Sequence, residues 1–273
     1  LASMMFYSSP VALNREAHRN LKLDTASTDF AYAAGTNSML LAASEIADAA
    51  RDYPVVFIGG EGQPYTVAAI MGMRDGENLF VDADGNWESG TYLPAFARRY
   101  PFVLAEGGAQ GGELTVCFDE ASPRMTSESG TPLFDEQGGP SQLLQDAIAF
   151  LELFHTQMQQ TAQMAQRIAE AGLLVPRTME MVRGEQRYAL NGVHVVDRDK
   201  LMALDDATVL ELHRSGALYA IHAHLMSLSR GERLAAALTR AWPSRRPRKT
   251  RPAKGGCALP LRPPGVGAGR RAS

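Results

Sequence analysis

Apolar positions recur along this chain with two different periods. From Ser141 to Gly172, the residues Leu144, Ile148, Leu151, Phe154, Met158, Ala162, Ala165 and Ile168 follow at steps of three and four, the spacing that lines one face of an α-helix. Ser141 stands where the helix should begin, and Gly172 with Pro176 supplies the stop. Such a helix would be roughly 45 Å long and belongs in a core or an interface.

Elsewhere the period is that of strands, with β-branched and aromatic runs interrupted by Gly, Pro, Asn and Asp. "PVVFIGGEGQPYTVAAIMGM" predicts a hairpin turning between Gly59 and Pro64. "NLFVDADGNWESG" predicts another about Asp84-Gly85, read as a type I′ turn. "PFVLAE" and "GELTVCFDEAS" should pair, as should the two halves of "RTMEMVRGEQRYALNGVHVV". Shorter helices are expected in "ASEIADAARDYP" with Ser44 as N-cap, from Pro94 to Tyr100, and from Val209 to Leu228 after an Asp205 or Asp206 cap. The sum is an α+β fold: an antiparallel, hairpin-built sheet region packed with a long helix and a C-terminal helix.

Charge divides the chain in two. The formal net charge is −3, from 27 Lys and Arg against 30 Asp and Glu. Ten of the bases and none of the acids lie from Arg240 onward, which leaves 17 bases and 30 acids before it, a net of −13. Residues 1–239 are therefore expected as one acidic α+β domain. Residues 240–273 are expected as a disordered, basic, Pro/Gly-rich tail, since they have no apolar period with which to offset ordering entropy. Nucleic acid or an anionic surface could be met electrostatically only through that tail, because an acidic body repels phosphate.

Translation is expected to start at Met4 or Met5, and "LASMMFYSSPVALNREAHRN" lacks the apolar run of a secretory signal. No stretch of about 18 uncharged apolar residues is present, so the expected compartment is the cytoplasm, with the cell surface reachable only by a signal-free route. The two cysteines, Cys117 and Cys257, form no CxxC pair; Cys117 reads as a small buried strand residue.

Candidate chemistry is sparse. In "AIHAHLMSL", His222 and His224 are about 200° apart if helical and point to opposite faces, so they cannot share a metal ion; one buried and one surface histidine are expected. "DADGNWESGTYL" starts with calcium-loop spacing, but Trp87 stands where the turn needs Gly and Leu93 where a bidentate Glu is required. The Gly-rich turn after Val55–Ile58 is followed by neither Gly-Lys-Ser/Thr nor a helix, and no motif for a cofactor is present. The acidic pairs Asp119-Glu120 and Asp135-Glu136 read as solvated charge. What remains is a grouping of Arg98 and Arg99 with Tyr92 and Tyr100, whose forked donors could grip a carboxylate or phosphate; the competing expectation is that both arginines pair with acids of the body.

The succession "EIADAARDYPVVF", "GENLFVDADGNW", "YLPAFARRYPF", "CFDEASP", "PLFDEQGGPS", "GLLVPRTMEM" and "LHRSGALYAIHAHLMSL" resembles the bacterial SapC-like family. That family is distinct from the peptide-transporter permease of the same name, which needs spanning helices. The resemblance implies a soluble protein tied to surface-layer or envelope biology, with no catalytic residues to carry over. Two functions follow: a non-catalytic binding or assembly protein, with an unidentified protein partner or self-association, or an enzyme or enzyme accessory that binds an anionic small ligand in a halogenase- or uptake-associated pathway.

Overall fold

A computed structural model describes residues 5–60, 62–107, 113–183 and 185–239. The tail expected to be disordered from residue 240 lies outside the described residues. The strands are β1 (Pro10–Ala12), β2 (Lys22–Leu23), β3 (Ser38–Leu40), β4 (Val55–Gly60), β5 (Gln63–Ile70), β6 (Phe102–Gly107), β7 (Glu113–Asp119), β8 (Met125–Thr126), β9 (Thr131–Pro132), β10 (Leu174–Arg183) and β11 (Gln186–Val196). The helices are α1 (Ile46–Ala49), α2 (Ala95–Arg98), α3 (Gln142–Glu170), α4 (Arg198–Met202), α5 (Asp206–Arg214), α6 (Ala217–Ser227) and α7 (Gly231–Thr239).

Every strand pairing is antiparallel. The largest sheet runs β10-β11-β4-β5-β3, beside the smaller sheets β1-β7-β6 and β8-β2-β9. The predicted pairs β4/β5, β6/β7 and β10/β11 are all present. The fold is α+β, as the alternation of periods dictated.

Helix α3 covers 29 residues, opens on Ser141, whose hydroxyl accepts from the Leu144 N–H, and ends before Gly172 at φ 72. It buries Leu144, Leu151, Phe154, Met164, Ala165 and Ile168, largely against β5 and β6. The apolar face is thus consumed by the core of this same chain. Cys117 lies buried in β7, where burial pushes its thiol pKa up.

Three expectations are corrected. The helix foreseen from Val209 to Leu228 is two helices, because Gly216 takes φ 75 between α5 and α6, a conformation that breaks the ladder at no steric cost to glycine. The Asp84-Gly85 turn is not type I′, since only Gly85 has positive φ; the Asp82 carboxylate instead collects the N–H groups of Asp84 and Asn86. Asp119 is no solvated charge: it is 1% exposed and accepts from the Ser8, Ser9 and Ala121 amides and from the Tyr100 hydroxyl.

His222 is exposed and His224 fully buried, on opposite sides of α6 as their spacing demands. The His224 Nε2 accepts from the Val196 N–H at 3.1 Å, so its Nδ1–H donates to the Val55 carbonyl at 2.7 Å. One neutral ring therefore ties helix α6 to the ends of β4 and β11. Burial pulls its pKa down from 6.5 to about 4, with the Val55 carbonyl partly opposing.

The unfolded chain consequently takes up this proton before the folded one does. The contribution is complete above pH 6.5 and is lost as pH falls toward 4, a total of about 3 kcal/mol. Urea unfolding between pH 7 and pH 4 should show this loss, and His224→Gln should flatten that part of the profile; an unchanged slope would remove His224 as its source.

Candidate functional site

The segment Ala42–Ile46 makes a tight turn into α1, and the residue that closes it is Glu45 rather than the expected Ser44, which is exposed. Glu45 is 5% exposed, and its Oε2 accepts from the Ala42 N–H at 3.1 Å. Its Oε1 accepts from the Ala95 N–H at 2.6 Å and from the Tyr92 hydroxyl at 2.9 Å. One carboxylate therefore binds the turn before α1 to the start of α2. On the other side of the turn, the Ala43 N–H donates to Thr161 Oγ1 of α3 at 2.7 Å.

Tyr92 is held from two further directions. Its N–H donates to Asp52 Oδ2 at 2.8 Å, and its carbonyl accepts from the Tyr53 hydroxyl. Burial first, and then the Glu45 carboxylate, push the Tyr92 hydroxyl up to about 12, so it remains a donor at neutral pH. Asp52 is in turn paired with Arg233 of α7 at 2.9 Å.

The four candidate residues separate into two pairs. Arg98 and Tyr92 come together: the Arg98 Nη2 lies 3.7 Å from Glu45 Oε1, its Nε donates to the Leu93 carbonyl at 3.1 Å, and its guanidinium stands 5.4 Å from the Phe150 ring centre. Arg99 points elsewhere because successive helical residues are about 100° apart. It is buried, hydrogen-bonds Tyr7, and lies over the Phe96 ring at 4.2 Å and the Phe154 ring at 5.4 Å. Burial pulls its pKa below the ordinary arginine value. Tyr100 stacks on Tyr32 at 3.9 Å and donates to Asp119.

Arg98 opens onto a hollow of about 270 Å³ between α2 and α3, walled by Glu45, Tyr92, Phe150, Leu153, Phe154 and Gln157. Its side chain is 44% exposed, and Leu153 is 57% exposed at the rim. A guanidinium carries five N–H donors in a fork, and here the Leu93 carbonyl takes one while Glu45 faces another. The arrangement can receive an anion with an apolar body.

A second, wider groove of about 450 Å³ lies between α3 and α5, lined by Arg167, Leu210, Glu211, Arg214 and Ser215. Both arginines and Glu211 are exposed there, so solvent screens them, and no buried polar side chain organises the groove. Among the described residues, no group of three or more His, Cys, Asp or Glu side chains is placed to hold a metal ion. No helix among them is long and apolar enough to cross a membrane.

Glu45 was invisible as a functional residue in the sequence. Ala42 at the cap position offers no capping-box pattern, and the donors Tyr92 and Ala95 lie about fifty residues away.

Removing the carboxylate should be far costlier than removing the cation. Glu45→Ala strands the Ala42 and Ala95 amides and the Tyr92 hydroxyl, for a loss of roughly 3 kcal/mol or more. Arg98→Ala removes a half-exposed pair at 3.7 Å, for about 1 kcal/mol or less. Urea midpoints of the two variants would check this order; equal losses would mean that Glu45 is not the organising group.

No curated protein and no solved structure matches this chain. The model of one family, SapC, matches residues 13–234, a span that takes in the turn at Glu45, the Arg98 hollow, all of α3 and the His224 tie. The chain belongs to the SapC family.

Proposed function

We propose that this protein is a non-catalytic binding protein whose ligand is a small anion held in the Arg98 hollow. The observation that carries the reading is the meeting of a half-exposed guanidinium and a donor-locked tyrosine at a recess walled on one side by Phe150, Leu153 and Phe154. Ligand sites are concave and mostly apolar, with a few placed polar groups. Ser44 lines the hollow beside Glu45, but the Glu45 oxygens are taken by the Ala42 and Ala95 amides and the Tyr92 hydroxyl rather than turned to a hydroxyl nucleophile, which favours binding over catalysis.

Arg99 and Tyr100 enter as supports rather than as ligand contacts. Arg99 lies against Phe154, which forms part of the wall, and Tyr100 anchors the end of the Arg98 segment to Asp119. Burial of the apolar face of α3 inside the chain favours a ligand over assembly through that helix. The likeness to the SapC family supports placing the binding in surface-layer or envelope biology.

Titration of the isotope-labelled full chain with a mixture of small carboxylates and inorganic phosphate would test this. Amide shifts should cluster at Ala95, Leu153 and Gln157, disappear in Arg98→Met, and leave the ligands chemically unchanged. Shifts confined to other surfaces, or turnover of an added compound, would overturn the reading.

A further inference from the structure

We infer that the Arg98 hollow takes a two-ended ligand, an organic anion whose charged group lies at Arg98 and whose far end carries a neutral hydroxyl or amide met by Gln157 and Ser44; this rests on the anion-binding reading above.

The polar groups stand at two ends of one stripe along α3. Phe150, Leu153, Phe154 and Gln157 follow at steps of three, one and three and all line the hollow, the spacing of a single helix face. The Arg98 guanidinium stands 5.4 Å from the Phe150 ring centre, at one end of that stripe. Gln157 closes the other end, about 10 Å further along the helix axis. Ser44 belongs to the same far end, because the amide of its neighbour Ala43 donates to Thr161, one turn beyond Gln157. A charged donor and a neutral pair thus bracket the floor from opposite ends.

The two ends offer different chemistry. Arg98 gives its Nε to the Leu93 carbonyl and turns an Nη toward Glu45 at 3.7 Å, yet its side chain stays 44% exposed, and a guanidinium carries five N–H donors. Gln157 gives its main-chain carbonyl to the Thr161 hydroxyl, while among the described residues neither its carboxamide nor the Ser44 hydroxyl has a hydrogen-bond partner. A carboxamide both donates and accepts, as does a hydroxyl, so this end fits a neutral hydroxyl or amide and supplies no counter-charge to a second anion. A cation is no better served, since the Glu45 oxygens that could hold one are taken by the Ala42 and Ala95 amides and the Tyr92 hydroxyl.

Between the ends, Phe154 is buried and Leu153 lies at the open rim, 57% exposed. The middle of a ligand there meets apolar surface on one side and solvent on the other. The lining as a whole is about as polar as it is apolar. An all-apolar body would take water from Gln157 and Ser44 without replacing it, which costs affinity. A hollow of about 270 Å³ equals roughly nine water volumes, room for on the order of a dozen non-hydrogen atoms.

Calorimetric titration of the full chain compares 3-(4-hydroxyphenyl)propanoate with 3-phenylpropanoate, and 6-hydroxyhexanoate with hexanoate. The hydroxylated member of each pair should bind about tenfold more tightly, the worth of two neutral hydrogen bonds. The double variant Ser44→Ala, Gln157→Met should erase that preference while leaving the two plain carboxylates within about twofold, and Arg98→Met should weaken all four at least about tenfold. The pairs are first compared on the unaltered chain, so the outcome does not depend on how the variants fold. Equal affinities within both pairs, still lost in Arg98→Met, would overturn the two-ended ligand and keep the anion site, as would a preference that survives the double variant. Absence of Arg98-dependent binding by every probe would overturn both readings.

Discussion

A carboxylate removed from water must be given donors, and the arrangement around Glu45 follows from that requirement. An isolated buried carboxylate costs several kcal/mol, and far more in an apolar medium. Glu45 meets the demand with the Ala42 and Ala95 amides and the Tyr92 hydroxyl. Those donors come from two segments that have no local reason to meet. Satisfying one charge therefore fixes where α2 starts, which way Tyr92 turns, and hence where Arg98 emerges.

The same logic extends outward from Tyr92. Asp52 takes the Tyr92 amide and the Arg233 guanidinium, while Tyr53 donates to the Tyr92 carbonyl. The Ala43 amide reaches Thr161 in the middle of α3. Segments near residues 45, 53, 92, 161 and 233 thus close on one another through polar contacts embedded in the main hydrophobic core. A recess bounded by such contacts is already formed before a ligand arrives, so little ordering entropy is left for binding to oppose.

The sequence was legible wherever the governing interaction was local. Alternation and turn residues sufficed for the β4/β5, β6/β7 and β10/β11 pairings, and the step of three and four sufficed for α3. Helical geometry alone placed His222 and His224 on opposite faces. The break at Gly216 was missed because a glycine inside an apolar helical pattern can be tolerated or can terminate it, and the pattern does not say which. Asp119 and Glu45 were missed for a different reason. Their burial depends on donors such as Ser8, Ser9 and Ala95, whose approach is a property of the closed fold.

The adjacent arginines show how one short helix divides a single sequence feature into two roles. Alone, Arg98 and Arg99 read as one basic patch. On α2 they diverge, so Arg98 keeps 44% of its side chain in solvent while the Arg99 residue keeps 7%. Arg99 lies over the Phe96 and Phe154 rings and meets Tyr7. The buried arginine thus packs against the wall of the hollow through Phe154, while the exposed one faces into it.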